Sequence, residues 1–281
     1  KIHLIDRNGV TVENFPIRAP KGVEFEHLAV VDYDNTKNYR FLASDKKGNL
    51  YIYDKEDNNL EGWTPRGLDS PLAAPAFHIR VKGGDCIVAL QKNGVLNVMN
   101  RRGQMYPGFP VEMKVDAVAG LFVEYGNDFA KTKVVTVSSE GEIISVNLKG
   151  QIIRREQLYK PTSESKFWLV PDALQKTYVI ARQEFSSISL INTKGEVILE
   201  NNLISSGDLA VQFYHFSIDN QLFVILDKDE EFAYIFNQSG EQLTFEPLEC
   251  GQPVGIIFQT AKKEYQLYKC FEGEFSVELI K

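Results

Sequence analysis

Two of the four histidines occupy equivalent positions in a repeated sequence. His78 and His215 each lie 22 residues before an asparagine, Asn100 and Asn237 respectively, that ends a short apolar run. An imidazole can bind a metal ion or exchange a proton near neutral pH. No acidic residue neighbours either histidine in sequence, and their repeats are three apart, too far for both rings to reach one zinc ion at about 2 Å. We therefore predict that both side chains line the interior of the fold, as candidates for ligand binding only.

The segment DYDNTKNYR places two carboxylates, Asp32 and Asp34, at alternate positions of a predicted turn. Calcium loops use this spacing, followed by further oxygen ligands and a glycine at fixed positions. Here Thr36 and Lys37 occupy the third-ligand and glycine positions, and Arg40 stands where the last carboxylate is required. A bound calcium ion would therefore be repelled by the positive charge of Arg40. We therefore predict no metal ion at Asp32 and Asp34, and instead a hairpin held by Asx-type bonds to backbone amides.

Other carboxylates are candidates for the acid pair of a carbohydrate hydrolase or lyase, provided that they converge in space. They are Asp116, Glu124, Asp172 and Asp208. No G-x-S-x-G, H-E-x-x-H or glycine-rich phosphate motif occurs in the chain,. We therefore expect no cofactor and name no catalytic residue, and the sequence favours a binding protein over an enzyme.

These residues must be positioned by a repeated element. Six short apolar runs end in an Asp or Asn at intervals of 45 to 48 residues, at Asp6, Asp54, Asn100, Asn147, Asn192 and Asn237. Three residues later comes a glycine in five cases and Asp57 in the sixth. The Asp or Asn side chain can bond backbone two residues on, and glycine accepts the positive φ that closes a hairpin. Each run is therefore predicted to be a strand that enters a tight turn.

Two further apolar strands precede most of these runs, so the repeat contains four antiparallel strands in about 46 residues. Such a unit is typical of a β-propeller blade. We predict an all-β propeller with six blades; seven blades, the last of them incomplete, is the alternative. Residues 1–281 would form one domain whose last blade is closed by residues 1–20 together with residues 251–281. Because both ends offer a third strand and the chain starts inside a strand-like run, we expect it to be a piece of a longer protein.

Three outer strands end in an aromatic residue near a proline, in the segments NFP (14–16), GWTP (62–65) and GFP (108–110). An aromatic platform for a ligand is one interpretation. The repeated position favours a packing anchor, with proline ending the strand where no hydrogen-bond donor is needed.

Composition excludes several functions. The chain of 281 residues carries 31 basic and 38 acidic residues, a net charge of −7, whereas nucleic-acid binding requires a basic surface. Three cysteines do not suffice for a disulfide framework or a CxxC metal site. No apolar run reaches the 18 or so residues of a membrane helix. We expect no nucleic-acid partner, and contact with a membrane only through an anchor outside these residues.

Three segments carry a resemblance to a known family: DRNGVTVENFP, VVDYDNTKNYRFLASDKKGNLYIYDKEDNNLEGW and NRRGQMYPGFP. They resemble the C-terminal propeller part of large envelope-associated proteins of Gram-negative gut-type bacteria, within the WD40/quinoprotein-like propeller superfamily. The resemblance is clearest over residues 1–110. It implies a longer parent protein anchored in a membrane at a distant N-terminus, and a location in the periplasm or at the cell surface. It implies no activity.

We therefore predict a non-enzymatic propeller that binds a protein or glycan partner in the cell envelope, besides the remainder of its parent chain. The expected contact face carries the long connections between blades, residues 67–75 and 159–166, because binding groups concentrate on loops of a rigid scaffold. The alternative is a carbohydrate-active propeller enzyme with acidic residues at the mouth of the channel.

Overall fold

A computed structural model describes residues 1–63, 65–115, 118–203 and 206–280. In these ranges 23 strands form six antiparallel sheets, and no helix is present that could span a membrane. The chain divides into two compact units. The first comprises Lys1–Ala119, Val123–Ser138 and Ile144–Arg155, and the second comprises Gly120–Phe122, Ser139–Ile143 and Glu156–Lys281.

The first unit contains two complete sheets. The first sheet consists of β1 (Phe25–Val31), β2 (Arg40–Asp45), β3 (Asn49–Tyr53) and β4 (Arg66–Gly67). The second consists of β5 (Phe77–Val81), β6 (Gly84–Leu90), β7 (Val95–Met99) and β8 (Val111–Glu112). The third sheet, whose residues are divided between the two units, consists of β9 (Val118–Glu124), β10 (Lys133–Ser138), β11 (Glu142–Asn147) and β12 (Ile152–Gln157).

The second unit contains the remaining three sheets. The fourth sheet consists of β13 (Lys166–Pro171), β14 (Tyr178–Glu184), β15 (Ser187–Ile191) and β16 (Val197–Asn202). The fifth consists of β17 (Leu209–Ser217), β18 (Asn220–Asp227), β19 (Phe232–Asn237) and β20 (Leu248–Glu249). The sixth has three strands, β21 (Gly255–Gln259), β22 (Glu264–Phe271) and β23 (Glu274–Ile280). Six successive antiparallel sheets are the blades of a β-propeller, so the predicted fold class is confirmed.

The turns that join the third and fourth strands follow the predicted pattern. Asn147 Oδ1 accepts hydrogen bonds from the amides of Lys149 at 3.1 Å and Gln151 at 3.0 Å, and Gly150 has a φ of 78°. The other five Asp or Asn markers accept the same two backbone bonds. Asp57, the one departure from glycine, also has a positive φ, of 66°. The hairpin assignment of these turns is confirmed.

Two of the three aromatic residues near prolines, Trp63 and Phe15, are packing anchors, as the repeated position predicts. Trp63 is fully buried, and its Nε1 donates a hydrogen bond to the carbonyl oxygen of Arg101 at 2.8 Å. Phe15 packs edge-to-face on Phe41 with the ring centres 5.2 Å apart. Thr64, within the second of these segments, lies outside the described residues.

The two ends of the chain each contribute short strands. Within the first unit, Ile2 pairs with Ile17, and both are buried against the side chains of Phe41 and Tyr51 in the first sheet. Within the second unit, the predicted strand FSVELI is β23 and pairs with β22 along its whole length. The closing of one blade by residues 1–20 with residues 251–281 stays a prediction.

Candidate functional site

Arg101 binds two carboxylates, those of Asp34 and Asp85. It follows β7, and its guanidinium binds Asp34 through two nitrogens, at 2.7 Å and 3.2 Å. Its Nε lies 2.5 Å from Asp85 Oδ2 at the start of β6. Arg80 in β5 adds a second cation, 3.1 Å from Asp34 Oδ1. Arg101 holds the pKa of Asp34 below its ordinary value, mainly through the hydrogen bond to the carboxylate.

Two rings complete this group. The guanidinium of Arg101 lies over the ring of Tyr33, 4.5 Å from its centre, and Tyr33 packs edge-to-face on His78 at 4.8 Å. His78 Nε2 lies 2.7 Å from Asp85 Oδ1. Burial lowers the pKa of His78, although Asp85 opposes this effect, and burial raises the pKa of Tyr33 to about 12. We refer to Tyr33, Asp34, His78, Asp85 and Arg101 as the arginine cluster.

The arginine cluster brings together two residues that the sequence marks separately, Asp34 and His78. Its charges compensate one another, because Arg80 and Arg101 face Asp34 and Asp85 while burial favours neutral His78. Among the described residues, the side-chain hydrogen bond of His78 goes to Asp85 and not to a hydroxyl or thiol nucleophile. A small cleft of about 340 Å³ opens beside the cluster, between Arg101, Arg102 and Tyr106. This chemistry suits a structural ion-pair network better than nucleophilic catalysis.

Asp32, the other carboxylate of the predicted turn, serves the backbone. Its two oxygens accept hydrogen bonds from the amides of Thr36 at 3.1 Å and Lys37 at 2.8 Å. Asp32 and Asp34 therefore bind different partners, and no group of three or more potential ligands is found in the described ranges. The Asx-type bonds match the predicted hairpin, and the absence of a metal ion there stays a prediction.

His215 lies on β17, the first strand of its sheet, as His78 lies on β5. Its ring packs edge-to-face on Phe213 with the centres 6.2 Å apart, and its Nδ1 is buried without a hydrogen-bond partner among the described residues. Ligand binding by either histidine stays a prediction. The sequence gives no sign of Asp85 as the partner of His78, because it lies across a hairpin, seven residues further along the chain.

In the second unit, a groove lies between the first strands of the fourth and fifth sheets. β13 and β17 lie side by side, joined by a parallel bridge from Asp172 to Phe213 and by the hydrogen bond from Ala173 N to Phe213 O at 2.9 Å. Two cavities of about 650 Å³ and 310 Å³ lie along these strands, and Trp168 and Val211 line both. We refer to Lys166, Trp168, Gln183, Asp208 and Val211 as the tryptophan groove.

The walls of the tryptophan groove are held by the fold. The side-chain amide of Gln183 donates hydrogen bonds to the carbonyl oxygens of Phe185 at 3.1 Å and Gly207 at 2.9 Å. Trp168 is half-buried against the core of the fourth and fifth sheets, which leaves part of the indole accessible. Lys166, at the mouth, is exposed. This arrangement offers an aromatic contact with polar groups around it on rigid strands.

The two long connections differ. In residues 67–75, Leu72 is fully buried and pairs with Gln91, so this connection packs onto the second sheet. Residues 159–166 lead directly into the tryptophan groove at Lys166, and Tyr159 is 75% exposed. The second connection therefore ends at a cavity, which Lys166 lines.

The candidate hydrolase carboxylates bind different partners. Asp172 is fully buried and accepts hydrogen bonds from the backbone amides of Leu174 and Thr177, at 3.0 Å and 2.7 Å. Asp208 is exposed and paired with Lys228 at 2.8 Å. In the first unit, Glu124 pairs with Lys133 at 3.3 Å. Asp116 lies outside the described residues. Asp208 is the one of these that lines the tryptophan groove.

No family model matches the chain, and no curated protein matches it in sequence. Solved structures match it in fold. Sqt1 from Saccharomyces cerevisiae aligns with 99% of this chain and 78% of its own, with a TM-score of 0.66 and 13% identity. A streptogramin B lyase aligns with 98% of this chain and 85% of its own, with a TM-score of 0.57 and 14% identity. BBS1N, solved in complex with ARL6DN, aligns with 90% of this chain and 76% of its own, with a TM-score of 0.56 and 11% identity.

These structures are β-propellers, so the comparisons agree with the predicted fold class. At 11 to 14% identity the likeness concerns the fold alone, and this fold carries different functions, since one of these structures is a lyase and another was solved in complex with a second protein,. Function must therefore be argued from the side chains of this chain.

Proposed function

We propose that this chain is a non-enzymatic binding module and that a protein partner binds at the tryptophan groove. The observation that carries the proposal is the position of Trp168, partly exposed between two cavities and flanked by Lys166 and Gln183. Protein interfaces concentrate their binding energy in a few aromatic and arginine side chains that sit in pockets. A Trp on a packed strand can supply such a contact with little loss of side-chain entropy, since the core already restricts it.

Two further observations support a protein as partner. Tyr159 is largely exposed on the connection that leads to Lys166, and Phe185 is 63% exposed beside β14, which also carries Gln183. Aromatic side chains are enriched at protein interaction surfaces. BBS1N, a structural neighbour, is itself solved in complex with another protein. We place the module outside the cytoplasm, in the envelope of a Gram-negative bacterium and within a longer parent chain; this part rests on the sequence resemblance.

Photo-crosslinking tests the proposal. A benzophenone amino acid replaces Lys166 at the groove, and in a matched control it replaces Lys194, an exposed lysine in a turn of the same sheet. Illumination in an envelope extract should give a discrete adduct from position 166 and none from position 194. Excess unlabelled protein should suppress the adduct, whereas excess folded Trp168→Ala protein should not. Equal labelling at both positions, or equal competition by Trp168→Ala, would contradict the proposal.

A carbohydrate-active enzyme is the second candidate, and the position of Asp208 is the observation that favours it. This carboxylate lines the same cavity as Trp168, so a sugar ring stacked on the indole could meet an acid there,. The test is release of reducing ends from neutral oligosaccharides. Activity that disappears in Asp208→Asn, and persists in Asp34→Asn as the control, would replace the binding-module proposal with this one.

A further inference from the structure

A separate cavity of the second unit lies where three turns of the fifth and sixth sheets meet. The turns that follow β17, β19 and β21 all contribute to its wall, and its volume is about 490 Å³. Every described residue that lines it lies between positions 219 and 265, so the cavity belongs to the second unit alone. Binding sites for small molecules have volumes of about 300–1,000 Å³. The cavity is therefore large enough for a small ligand.

Two aromatic side chains line this cavity and are held in place by a third. Phe258 of β21 and Tyr265 of β22 both line it, and their ring centres lie 5.0 Å apart. Phe216 packs against both rings, at 5.8 Å and 5.9 Å. Phe258 and Tyr265 are half-buried, so each keeps some accessible surface. The two rings therefore offer a ligand a fixed apolar surface.

Neutral hydrogen-bonding groups line the cavity beside these rings. The Tyr265 hydroxyl donates a hydrogen bond to Asn220 Oδ1 at 2.6 Å, which fixes the orientation of that amide. Within the described ranges, the amide nitrogen of Asn220 makes no hydrogen bond, and neither do the exposed side chains of Gln238 and Thr260. These donors and acceptors are available to a ligand. We refer to Asn220, Gln238, Phe258, Thr260 and Tyr265 as the amide pocket.

The charges around the amide pocket balance. Among the described residues that line the cavity, Asp219 and Lys263 carry charge, one acid and one base, and both are exposed. A phosphate or carboxylate ligand is bound by an excess of basic groups, and a hard cation by several carboxylates or carbonyl groups. Neither excess is present in this lining. The composition therefore favours an uncharged ligand that is rich in hydroxyl groups.

We propose that the amide pocket binds a neutral oligosaccharide of β-linked pyranose rings. The hydroxyl groups of a β-glucose ring are equatorial, so its faces present C–H groups that can lie on Phe258. The hydroxyl groups at its edge can then bond with the amides of Asn220 and Gln238, which gives a site of apolar wall and few polar groups. The inference is independent of the proposed protein partner, because this cavity and the tryptophan groove share no lining residue.

Isothermal titration of the whole chain with cellotetraose and with tetra-N-acetylchitotetraose tests the proposal. The decisive variant is Phe258→Ala, which removes the apolar surface of the amide pocket. Its matched control is Phe275→Ala, because Phe275 also packs on a tyrosine of the sixth sheet, Tyr268 at 6.1 Å, but does not line the cavity. We expect at least one probe to bind, Phe258→Ala to weaken its binding at least tenfold, and Phe275→Ala to change it by less than twofold.

Two further variants keep the test decisive if Phe258→Ala disturbs folding. Gln238 is exposed and makes no hydrogen bond within the described ranges, so Gln238→Ala should fold normally and weaken binding at least threefold. Trp168→Ala should leave sugar binding unchanged. Failure of both probes to bind at millimolar concentration would overturn the proposal, as would full binding by a folded Gln238→Ala protein. Binding that Trp168→Ala abolishes would also overturn it, because the sugar would then lie in the tryptophan groove.

Discussion

At the scale of single residues, the arginine cluster shows how one side chain can hold several others. Arg101 contacts two carboxylates and one ring, and its backbone carbonyl accepts the indole hydrogen bond of Trp63. Asp85, which is only 10% exposed, would be left largely buried next to His78 if the guanidinium were removed. A buried carboxylate without its cation is more costly than an exposed one.

Arg101→Ala should therefore destabilise the chain by about 1–3 kcal/mol, which is less than for a fully buried pair because solvent screens the partly exposed guanidinium. The neighbouring Arg102→Ala is the control, since Arg102 is exposed, and it should change stability by less than about 0.5 kcal/mol,. Urea unfolding of both variants measures the difference. Equal effects at the two positions would mean that Arg101 adds no more than an exposed surface charge.

His78 should make stability depend on pH. Burial holds the pKa of folded His78 below the ordinary value of 6.5, so the unfolded chain binds the proton first as the pH falls. The stabilisation is complete above about pH 6.5 and is lost as the pH falls toward the lower, folded-state pKa, with a slope of at most about 1.4 kcal/mol per pH unit. His78→Gln should flatten the curve of unfolding free energy against pH between pH 7 and 5. An unchanged slope would show that His78 protonates as readily in the folded chain.

At the scale of elements, the turns are the part of the molecule that the sequence predicts best. Each turn is specified by residues within four positions of one another, such as Asn147, Gly150 and Gln151. The arginine cluster could not be predicted in the same way, because Arg101 lies 67 residues from Asp34. The tryptophan groove depends likewise on strands of different sheets, and no local sequence motif distinguishes Trp168.

Two turn glycines that share a backbone conformation differ in their surroundings. Gly150 and Gly240 both have a φ of 78°, but a Cβ on Gly150 would lie 2.2 Å from the carbonyl oxygen of Gly108, whereas one on Gly240 would meet nothing within 4 Å. The positive φ should lower the free energy of unfolding of both alanine variants by about 1 kcal/mol. Only Gly150→Ala also has to displace backbone, so it should be the more destabilising by at least about 1 kcal/mol in thermal or urea unfolding. Equal costs would show that the turn at Gly150 is not packed against Gly108.

At the scale of the whole molecule, repetition explains why the fold class could be predicted while the function could not. A period of about 46 residues determines how many sheets form, and the described residues contain six. The proposed binding surface is instead local to two neighbouring sheets, the fourth and the fifth, where Trp168 of β13 lines two cavities. Function in such a chain lies where repeats differ.

Hydrogen exchange with the bound partner tests the binding surface most directly. The partner recovered through the crosslink at position 166 would be added to the unmodified protein, and amide exchange compared with and without it. We predict slower exchange in residues 159–168 and 206–211, and no change around Arg101 and Asp34. Protection confined to the arginine cluster, or absent from the tryptophan groove, would contradict the account.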